Sequence, residues 1–232
     1  MKLNWHGHAF FEVELATGAR LAIDPFTSSA GNPVTTTEAE DVDADTVLVT
    51  HGHGDHFGAT LDVGEPVLAI HEIANYVQEQ GLEDAAGTGG GMNLGGTVEV
   101  GGAEITMLPA LHSSGCPGSD GPFMGEGGDP AGFIIDDGET TFYHTGDTAL
   151  FGDLKTVVGE HFEPDLVALP IGDVFTMGPE AAAQAVDWID PDACIPIHYD
   201  TFEPIEQDPD AFARQVDDAD VHVLKPDSKL TY

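Results

Sequence analysis

Basic residues are scarce in this sequence of 232 residues. Lys and Arg number 6 against 42 Asp and Glu, for a formal net charge of −36. The scarcity disfavours nucleic acid as a partner, because neutralising phosphates requires Lys and Arg. It also leaves the repulsion between carboxylates poorly screened in dilute salt, whereas molar salt shortens the Debye length to about 3 Å. We therefore predict a cytosolic protein of a halophile.

Long apolar runs and cysteines are also lacking. No apolar stretch approaches the ~20 residues that span a bilayer, and the start MKLNWHGHAF lacks the apolar run of a signal peptide. We expect a cytoplasmic protein with no membrane partner. The two cysteines, Cys116 and Cys194, indicate no disulfide framework. Cys194, in the apolar run ACIPI, is expected to be a small buried residue, whereas the role of Cys116 stays open.

The hydrophobic content of 41% is enough for one substantial core. No long polar linker divides the chain, so we predict a single domain over residues 1–232. Hairpins, buried strands and helices alternate, from KLNWHGHAFFEVEL at the start to a helix near DAFARQV and a strand VHVLK at the end. This alternation predicts an α/β fold of two similar halves, each a sheet covered by helices, packed sheet to sheet. The pattern leaves the oligomeric state open, with a homo-oligomer as one alternative.

A histidine-rich segment, THGHGDHFG, directly follows the apolar run DTVLVT and contains the pattern HxHxDH. A turn leaving a strand can direct residues i and i+2 at one ion, while i+4 and i+5, at the start of a helix, reach a second. Imidazole and carboxylate ligands suit zinc, and also iron, manganese or nickel. The spacing favours a metal site over a solvated polar loop. The candidate ligands are His51, His53, Asp55 and His56.

Three further candidates, His112, Asp147 and His198, follow other apolar strands. A single His at a strand end is more often a satisfied polar group than a ligand. Three separated strands that each lead to a His or Asp, however, are what a site at one edge of a sheet requires. We therefore predict that all three join the HxHxDH segment in one metal site.

Two positions near the start of the chain have a functional and a structural interpretation. Asp24 in LAIDPF accepts a hydrogen bond from a ligand histidine, or forms a turn before Pro25. His8 in WHGH faces the metals or the substrate, or is structural. Ordinary surface or strand positions are expected for four other histidines: His71, His144, His161 and His222.

Two loops are candidates for the substrate pocket. Residues 113–130, rich in Gly, Pro and Ser, are predicted to form a substrate-facing loop, with a mobile surface insertion as the alternative. The FTMGP segment contributes Thr176, Met177 and Gly178 as candidate pocket residues, and core packing is the alternative for Met177.

The ordered series HGHGDH, His112, Asp147 in GDT and His198 resembles the ligand series of the metallo-β-lactamase superfamily. Within it, the chain resembles the uncharacterised metal-dependent hydrolases related to ascorbate-6-phosphate lactonases. The resembling segments are WHGHAFFEVE, LAIDPF, THGHGDHFGAT, YHTGDTALF, LPIGDVFTMGPEAA and IPIHYDTF. The resemblance implies a four-layer αββα sandwich. It also implies that His51, His53 and His112 hold one metal, that Asp55, His56 and His198 hold the other, and that Asp147 bridges them.

Such a site predicts hydrolysis by a hydroxide shared between two divalent ions ~3.5–4 Å apart. Zinc is the favoured metal, with manganese, nickel or iron as alternatives. The expected substrate is a small metabolite with an ester, lactone, thioester or phosphodiester bond. Asp55 and His8 are the candidate catalytic residues, with Asp55 orienting the hydroxide or relaying a proton. Mononuclear iron dioxygenase-type redox chemistry and a non-catalytic metal-binding domain are the competing hypotheses.

Overall fold

The first sheet of the fold has the strand order β13-β1-β2-β3-β4-β5 in a computed structural model that describes residues 1–64, 66–115 and 127–232. The strands from β13 to β3 pair antiparallel, and β3, β4 and β5 pair parallel. Buried and half-buried residues alternate in β2, so one face of the meander packs on the core. The strands are β1 (Lys2–Trp5), β2 (Phe11–Glu14), β3 (Arg20–Ile23), β4 (Thr46–Leu48), β5 (Val67–Leu68) and β13 (Ser228–Thr231).

The second sheet has the strand order β12-β11-β10-β9-β8-β7-β6. Its strands are β6 (Thr97–Val100), β7 (Ala103–Pro109), β8 (Ala131–Asp136), β9 (Thr141–His144), β10 (Leu166–Pro170), β11 (Ala193–Ile197) and β12 (Asp220–Val221). The strands from β6 to β9 pair antiparallel, and those from β9 to β12 pair parallel. Every residue of β10 and β11 is buried, as expected of apolar strands that are covered on both faces.

Helices cover the sheets and complete the predicted αββα sandwich. Their bounds are α1 (Gly54–Phe57), α2 (Thr60–Val63), α3 (His71–Glu79), α4 (Leu154–Phe162, π-helical), α5 (Pro179–Ile189) and α6 (Pro209–Ala213). Helix α5 begins with Pro179, whose missing N–H is unneeded in the first turn. It buries Ala182, Ala185, Val186 and Ile189, which form one apolar face at helical spacing.

The buried hydrophobic residues of both sheets form one contiguous cluster, which includes Leu3 and Ile23 of the first sheet and Phe133 and Ile195 of the second. A core shared between the sheets favours the single domain over residues 1–232, which stays a prediction. Among the described residues, no helix is both long and apolar enough to span a membrane.

Two elements differ from the sequence expectations. The predicted strand VHVLK is correct only at Val221, because β12 consists of Asp220 and Val221 and the residues from His222 to Lys225 have no strand structure. The last strand is β13, which pairs with β1 in the other sheet. Helix α4 was not predicted, and its irregular π-helical winding blurs the 3.6-residue apolar period by which helices are found.

The candidate ligands follow strands that run in the same direction within each sheet. Strands β7, β9 and β11 are mutually parallel across the second sheet, and they precede His112, Asp147 and His198. In the first sheet, the parallel strands β3 and β4 lead to Asp24 and His51. The two sheets therefore present their polar loops at one common edge.

Candidate metal centre

The HxHxDH segment leaves β4 and continues directly into the short helix α1. His51 is fully buried in the turn, and His53 is the residue that precedes the helix. Asp55 and His56 lie within α1, where His56 is fully buried and Asp55 is partly exposed. The turn and the helix start thus direct these side chains toward two neighbouring places, as the spacing predicted.

The first group of side chains consists of His51, His53 and His112. One ring nitrogen from each lies within 4.8 Å of those of the other two. The ring of His112 is 5.2 Å from that of His51 and 5.1 Å from that of His53, in edge-to-face arrangements. Three imidazole nitrogens at this separation fit around one divalent cation.

The second group consists of Asp55, His56 and His198, joined by His8. Its ligand atoms also lie within 4.8 Å of one another. His8 was predicted to face the metals or the substrate, or to be structural. Its fully buried ring lies 3.9 Å from the ring of His198 and 5.4 Å from that of His56. Sequence reasoning therefore placed His8 in the correct region of the molecule.

Asp147 lies between the two groups. Its Oδ2 is 3.1 Å from Nε2 of His198, 3.3 Å from Nε2 of His56 and 3.6 Å from Nε2 of His112. Oδ1 of Asp147 and Nε2 of His56 are buried without a hydrogen-bond partner among the described residues. Burying a polar atom without a hydrogen-bond partner costs free energy. The arrangement therefore fits bound cations, which would accept lone pairs from Oδ1 of Asp147 and Nε2 of His56.

The charges of His51 and Asp147 suit metal ligands. Burial, followed by the positive charge of His56, holds the pKa of His51 well below its usual value. Burial opposes ionisation of Asp147, but the imidazoles of His198 and His56 outweigh it and hold the pKa of Asp147 well below its usual value. Neutral imidazole and ionised carboxylate are the forms that bind metals. Burial lowers the pKa of His56, but the charges of Asp147 and Asp24 outweigh it and raise that pKa well above its usual value, so a bound cation would take the place of a proton there.

Asp24 contacts a candidate ligand, which is the first of the two interpretations that the sequence left open. This fully buried carboxylate accepts a hydrogen bond from Nδ1 of His56 at 2.7 Å. It also accepts hydrogen bonds from the backbone N–H of Thr50 at 2.8 Å and from the Thr50 hydroxyl at 2.6 Å. Because Nδ1 of His56 donates to Asp24, Nε2 is the nitrogen that faces Asp147, and a cation bound there would replace its proton.

Thr50 sets the tautomer of His51 in a similar way. Its hydroxyl hydrogen is donated to Asp24, so the hydroxyl oxygen accepts the Nδ1–H of His51 at 3.0 Å. Nε2 of His51 is therefore the nitrogen with a free lone pair. Sequence reasoning missed Thr50, although its position directly before the first histidine of the motif was an available signal.

His144 is a second contact that the sequence did not reveal. Its buried ring donates from Nε2 to the backbone oxygen of Ala9 at 2.9 Å and accepts the N–H of Gly146 at Nδ1 at 3.2 Å. It therefore connects the hairpin that carries His8 to the loop that carries Asp147. The three other histidines for which ordinary positions were expected lie outside the two groups: His71, His161 and His222.

The loop predicted to face the substrate is described only at its two ends, and Cys116 lies outside the described residues. Ser113 Oγ is 3.4 Å from Nε2 of His53. Ser114 accepts the N–H of Gly52 at 3.2 Å and donates to the backbone oxygen of Gly127 at 3.1 Å. Ser114 thus joins the two ends of the loop to each other and to Gly52 of the HxHxDH segment.

The FTMGP segment is tied to the loop of Asp147 through its backbone. The N–H of Met177 donates to the backbone oxygen of Thr148 at 3.0 Å. The Met177 side chain is buried in the hydrophobic core, which is the alternative that the sequence left open. Gly178 precedes α5, and Thr176 is half-buried.

Comparison with known proteins identifies the family. The model of the β-lactamase superfamily domain matches residues 19–199. The chain belongs to the metallo-β-lactamase superfamily. This superfamily member is 47% identical over 234 residues to a UPF0173 metal-dependent hydrolase of Methanopyrus kandleri, with 97% of each chain covered. It is 46% identical over 244 residues to a UPF0173 metal-dependent hydrolase of Haloarcula marismortui, with 98% of each covered.

A solved structure agrees with the sequence relatives. The superfamily member is similar to Igni18, a metallo hydrolase from the hyperthermophilic archaeon Ignicoccus hospitalis, with a TM-score of 0.86 and 35% identity. The similarity covers 100% of this chain and 97% of Igni18. The metallo-β-lactamase fold and the resemblance to metal-dependent hydrolases are confirmed, and the chain is a metal-dependent hydrolase of the superfamily. The assignment of individual ligands stays a prediction.

Proposed function

We propose that the enzyme hydrolyses a small metabolite with two divalent cations held at the edge shared by its sheets. His51, His53 and His112 would hold one cation, and Asp55, His56 and His198 the other. The observation that carries this proposal is the position of Asp147, whose Oδ2 lies within 3.6 Å of imidazole nitrogens from both groups. One carboxylate in reach of two ligand sets is the arrangement expected of a bridge.

The chemistry of the donors narrows the choice of metal. Imidazole nitrogens and carboxylate oxygens, with no thiolate among the described groups, favour zinc and also accept manganese, nickel or iron. Two such cations, when bound, would supply a water of lowered pKa and polarise the scissile carbonyl or phosphoryl group. The protein must then orient the reactants and transfer protons between the water and the leaving group.

His8 and Asp55 are the residues that we propose to transfer protons. Oδ2 of Asp55 accepts the Nε2–H of His8 at 3.1 Å, so Nδ1 of His8 accepts the hydroxyl hydrogen of Thr201 at 2.9 Å. Burial opposes ionisation of Asp55, but the hydrogen bond from His8 and the imidazole charges outweigh it and hold the pKa of Asp55 well below its usual value.

This pair is proposed to hold the proton that the attacking water releases. Burial, followed by the positive charge of His198, lowers the pKa of His8 to about 4, so His8 is neutral at neutral pH. A proton shared between Nε2 of His8 and Asp55 would then be returned to the leaving group. This role makes Asp55 both a ligand and a proton relay, and His8 its partner.

Metal analysis in molar KCl tests the proposal. The purified enzyme is expected to bind two zinc ions per chain, and both His51→Ala and Asp147→Ala are expected to lower that stoichiometry. The control is His161→Ala, which removes an exposed histidine of α4. The same samples are assayed with an ester, a lactone, a thioester and a phosphodiester. Failure to bind any metal, or one iron per chain with oxygen consumption, would contradict the proposal.

The partners of the enzyme follow from the same features. With 6 basic residues in the whole sequence, we propose a small-molecule substrate and no nucleic-acid partner. Filter binding with RNA and DNA at low and high salt tests this, and retention of either polymer by the folded enzyme would contradict it. The cytoplasmic location, the adaptation to high salt and a homo-oligomer stay predictions.

A further inference from the structure

Exposed large hydrophobic side chains are concentrated around the candidate metal centre. The described part of the chain has five: Leu111 at 57%, Val174 at 66%, Phe175 at 55%, Phe202 at 38% and Val223 at 37% relative exposure. The first four lie on loops that carry or contact the candidate ligands, whereas Val223 follows the edge strand β12. Exposed apolar residues that gather at one place mark a binding site.

The loops that carry Leu111 and Phe175 are both attached beside Asp147. Leu111 directly precedes His112, and its N–H donates to the Thr148 hydroxyl at 3.0 Å. The loop of Phe175 is attached to the same residue, because the backbone oxygen of Thr148 accepts the N–H of Met177 at 3.0 Å. Thr148 follows Asp147, so both apolar side chains extend from loops anchored next to the proposed bridging carboxylate.

Phe202 lies at the other end of the site. Its ring centroid is 5.7 Å from that of His8 and 6.3 Å from that of Phe26. His8 in turn packs against His198 at 3.9 Å. The exposed ring of Phe202 therefore lies against His8, which belongs to the second group.

The backbone of the Phe175 loop is held in an unfavourable conformation. Asp173 and Val174 have φ values of 61° and 35°. This region is rare for residues other than glycine, and rarest for a β-branched residue such as Val174. Strained backbone that keeps apolar side chains in solvent is characteristic of functional loops.

Three of the six basic residues lie in a cleft outside the candidate metal centre. Lys2, Arg20 and Lys229 line a separate cleft on the first sheet, of about 280 Å³. Lys2 pairs with Glu14, and Arg20 with Asp43. Among the described residues, no Lys or Arg forms an ion pair with a candidate ligand. With 6 basic residues in the sequence, and none paired with a candidate ligand in the described part, an anionic group of a substrate has few Lys or Arg partners available.

We infer that the substrate is an uncharged carboxylic ester, thioester or lactone with an apolar acyl chain. The apolar rim formed by Leu111, Val174, Phe175 and Phe202 would bind that chain. This inference rests on the proposed hydrolase function and narrows it, because it selects acyl compounds over phosphodiesters.

Atoms balance as in any acyl hydrolysis. The oxygen of water bonds to the carbonyl carbon, and the bond from that carbon to the oxygen or sulfur of the leaving group breaks. The leaving group takes one proton of the water, and the carboxylic acid product releases the other.

The test compares p-nitrophenyl acetate, butyrate and octanoate with bis(p-nitrophenyl) phosphate, using the zinc-loaded enzyme in molar KCl. For each methylene that the rim buries, kcat/KM is expected to rise by up to roughly fourfold. The octanoate is therefore expected to react much faster than the acetate, and the phosphodiester slowest of all.

Variants connect the preference to the rim. Phe175→Ala is expected to lower kcat/KM for the octanoate by roughly tenfold and to change that for the acetate less than twofold. Phe175→Leu is expected to restore most of the loss. Val223→Ala, which removes an exposed hydrophobic residue elsewhere, is the matched control and should change neither.

The outcomes separate this inference from the proposed function. Equal turnover of all three esters, faster turnover of the phosphodiester, or an unchanged preference in Phe175→Ala overturns the inference and leaves the hydrolase in place. If the zinc-loaded enzyme hydrolyses none of the four compounds, both the inference and the hydrolase proposal are contradicted.

Discussion

Oδ2 of Asp24 lies 2.7 Å from Nδ1 of His56, and both side chains are completely excluded from solvent. Asp24 follows β3 and His56 lies in α1, and the contact fixes the ring of His56 with Nε2 toward Asp147. Carboxylates that orient a ligand histidine contribute to metal affinity without touching the metal. Asp24 is thus a positioning residue for the proposed second cation.

Replacing Asp24 by Asn is therefore expected to weaken zinc binding. We expect the affinity of the second site to fall by roughly 10–100-fold while that of the first changes little. Chelator competition followed by metal analysis measures both affinities. The control is Asp62→Asn, a change at an exposed carboxylate of α2. If both zinc ions are retained with unaltered affinity, the positioning role of Asp24 is wrong.

His8→Ala is expected to separate proton transfer from metal binding. We expect kcat to fall by roughly 10²-fold, because the partner of Asp55 is lost, and the zinc stoichiometry to stay unchanged. Thr201→Val removes the hydrogen bond to Nδ1 of His8 at nearly constant volume and should cause a smaller loss. Turnover and zinc content are measured on the same samples. Loss of one zinc ion from His8→Ala would instead make His8 a ligand.

Asp227 is expected to stabilise the fold in a pH-dependent manner. Burial alone would raise its pKa, but hydrogen bonds from Thr35, His6 and the backbone of Thr36 lower the pKa of Asp227 to about 2. A lowered carboxyl pKa gives stability that is complete above the unfolded value of about 3.9 and is lost as the pH falls toward about 2. The carboxylate is partly exposed, so we expect about 1 kcal/mol.

The measurement is the free energy of unfolding of the wild type and Asp227→Asn between pH 2 and pH 7 in molar KCl. The variant should be less stable at pH 7, and the difference should shrink below pH 4. Asp218→Asn, at an exposed carboxylate, provides the control. A difference that stays constant over this range would exclude ionisation of Asp227 as its source.

The net charge of −36 is expected to make stability depend on salt. Raising KCl from 0.1 M to 2 M should increase the free energy of unfolding, because the Debye length falls from about 10 Å to a few Å. Thermal unfolding across the series measures this. Sucrose of equal osmolality separates screening of charge from general exclusion effects. Equal stability at both KCl concentrations would contradict the predicted adaptation to high salt.

The sequence predicted the parts of the site that depend on local spacing. The HxHxDH pattern put His51 and His56 at a strand-to-helix turn, and the structure has that turn between β4 and α1. The convergence of Asp147 and His198 followed from their positions after buried strands. Periodicity also identified β10 and β11, because each is a continuous apolar run.

Other features depend on contacts between distant segments and could not be predicted. The orientation of His8 depends on Asp55 and on Thr201, partners that lie 47 and 193 residues away. The role of His144 depends on the carbonyl of Ala9 in the opposite half of the chain. Strand β13 forms because β1 offers a free edge, whereas its own sequence, SKLT, has little apolar character. The exposure of Phe175 likewise depends on the tertiary structure.

His8, Asp24 and His198 have left-handed backbone conformations, with φ of 55°, 49° and 53°. These conformations bear on attempts to raise the thermal stability of the enzyme. Side chains with a Cβ resist this conformation by about 1–2 kcal/mol, and glycine does not. Glycine would remove this backbone cost, but it would also remove a buried side chain and, at Asp24, leave three buried donors without their acceptor. Changes that raise heat resistance are therefore expected elsewhere in the chain, not at these three positions.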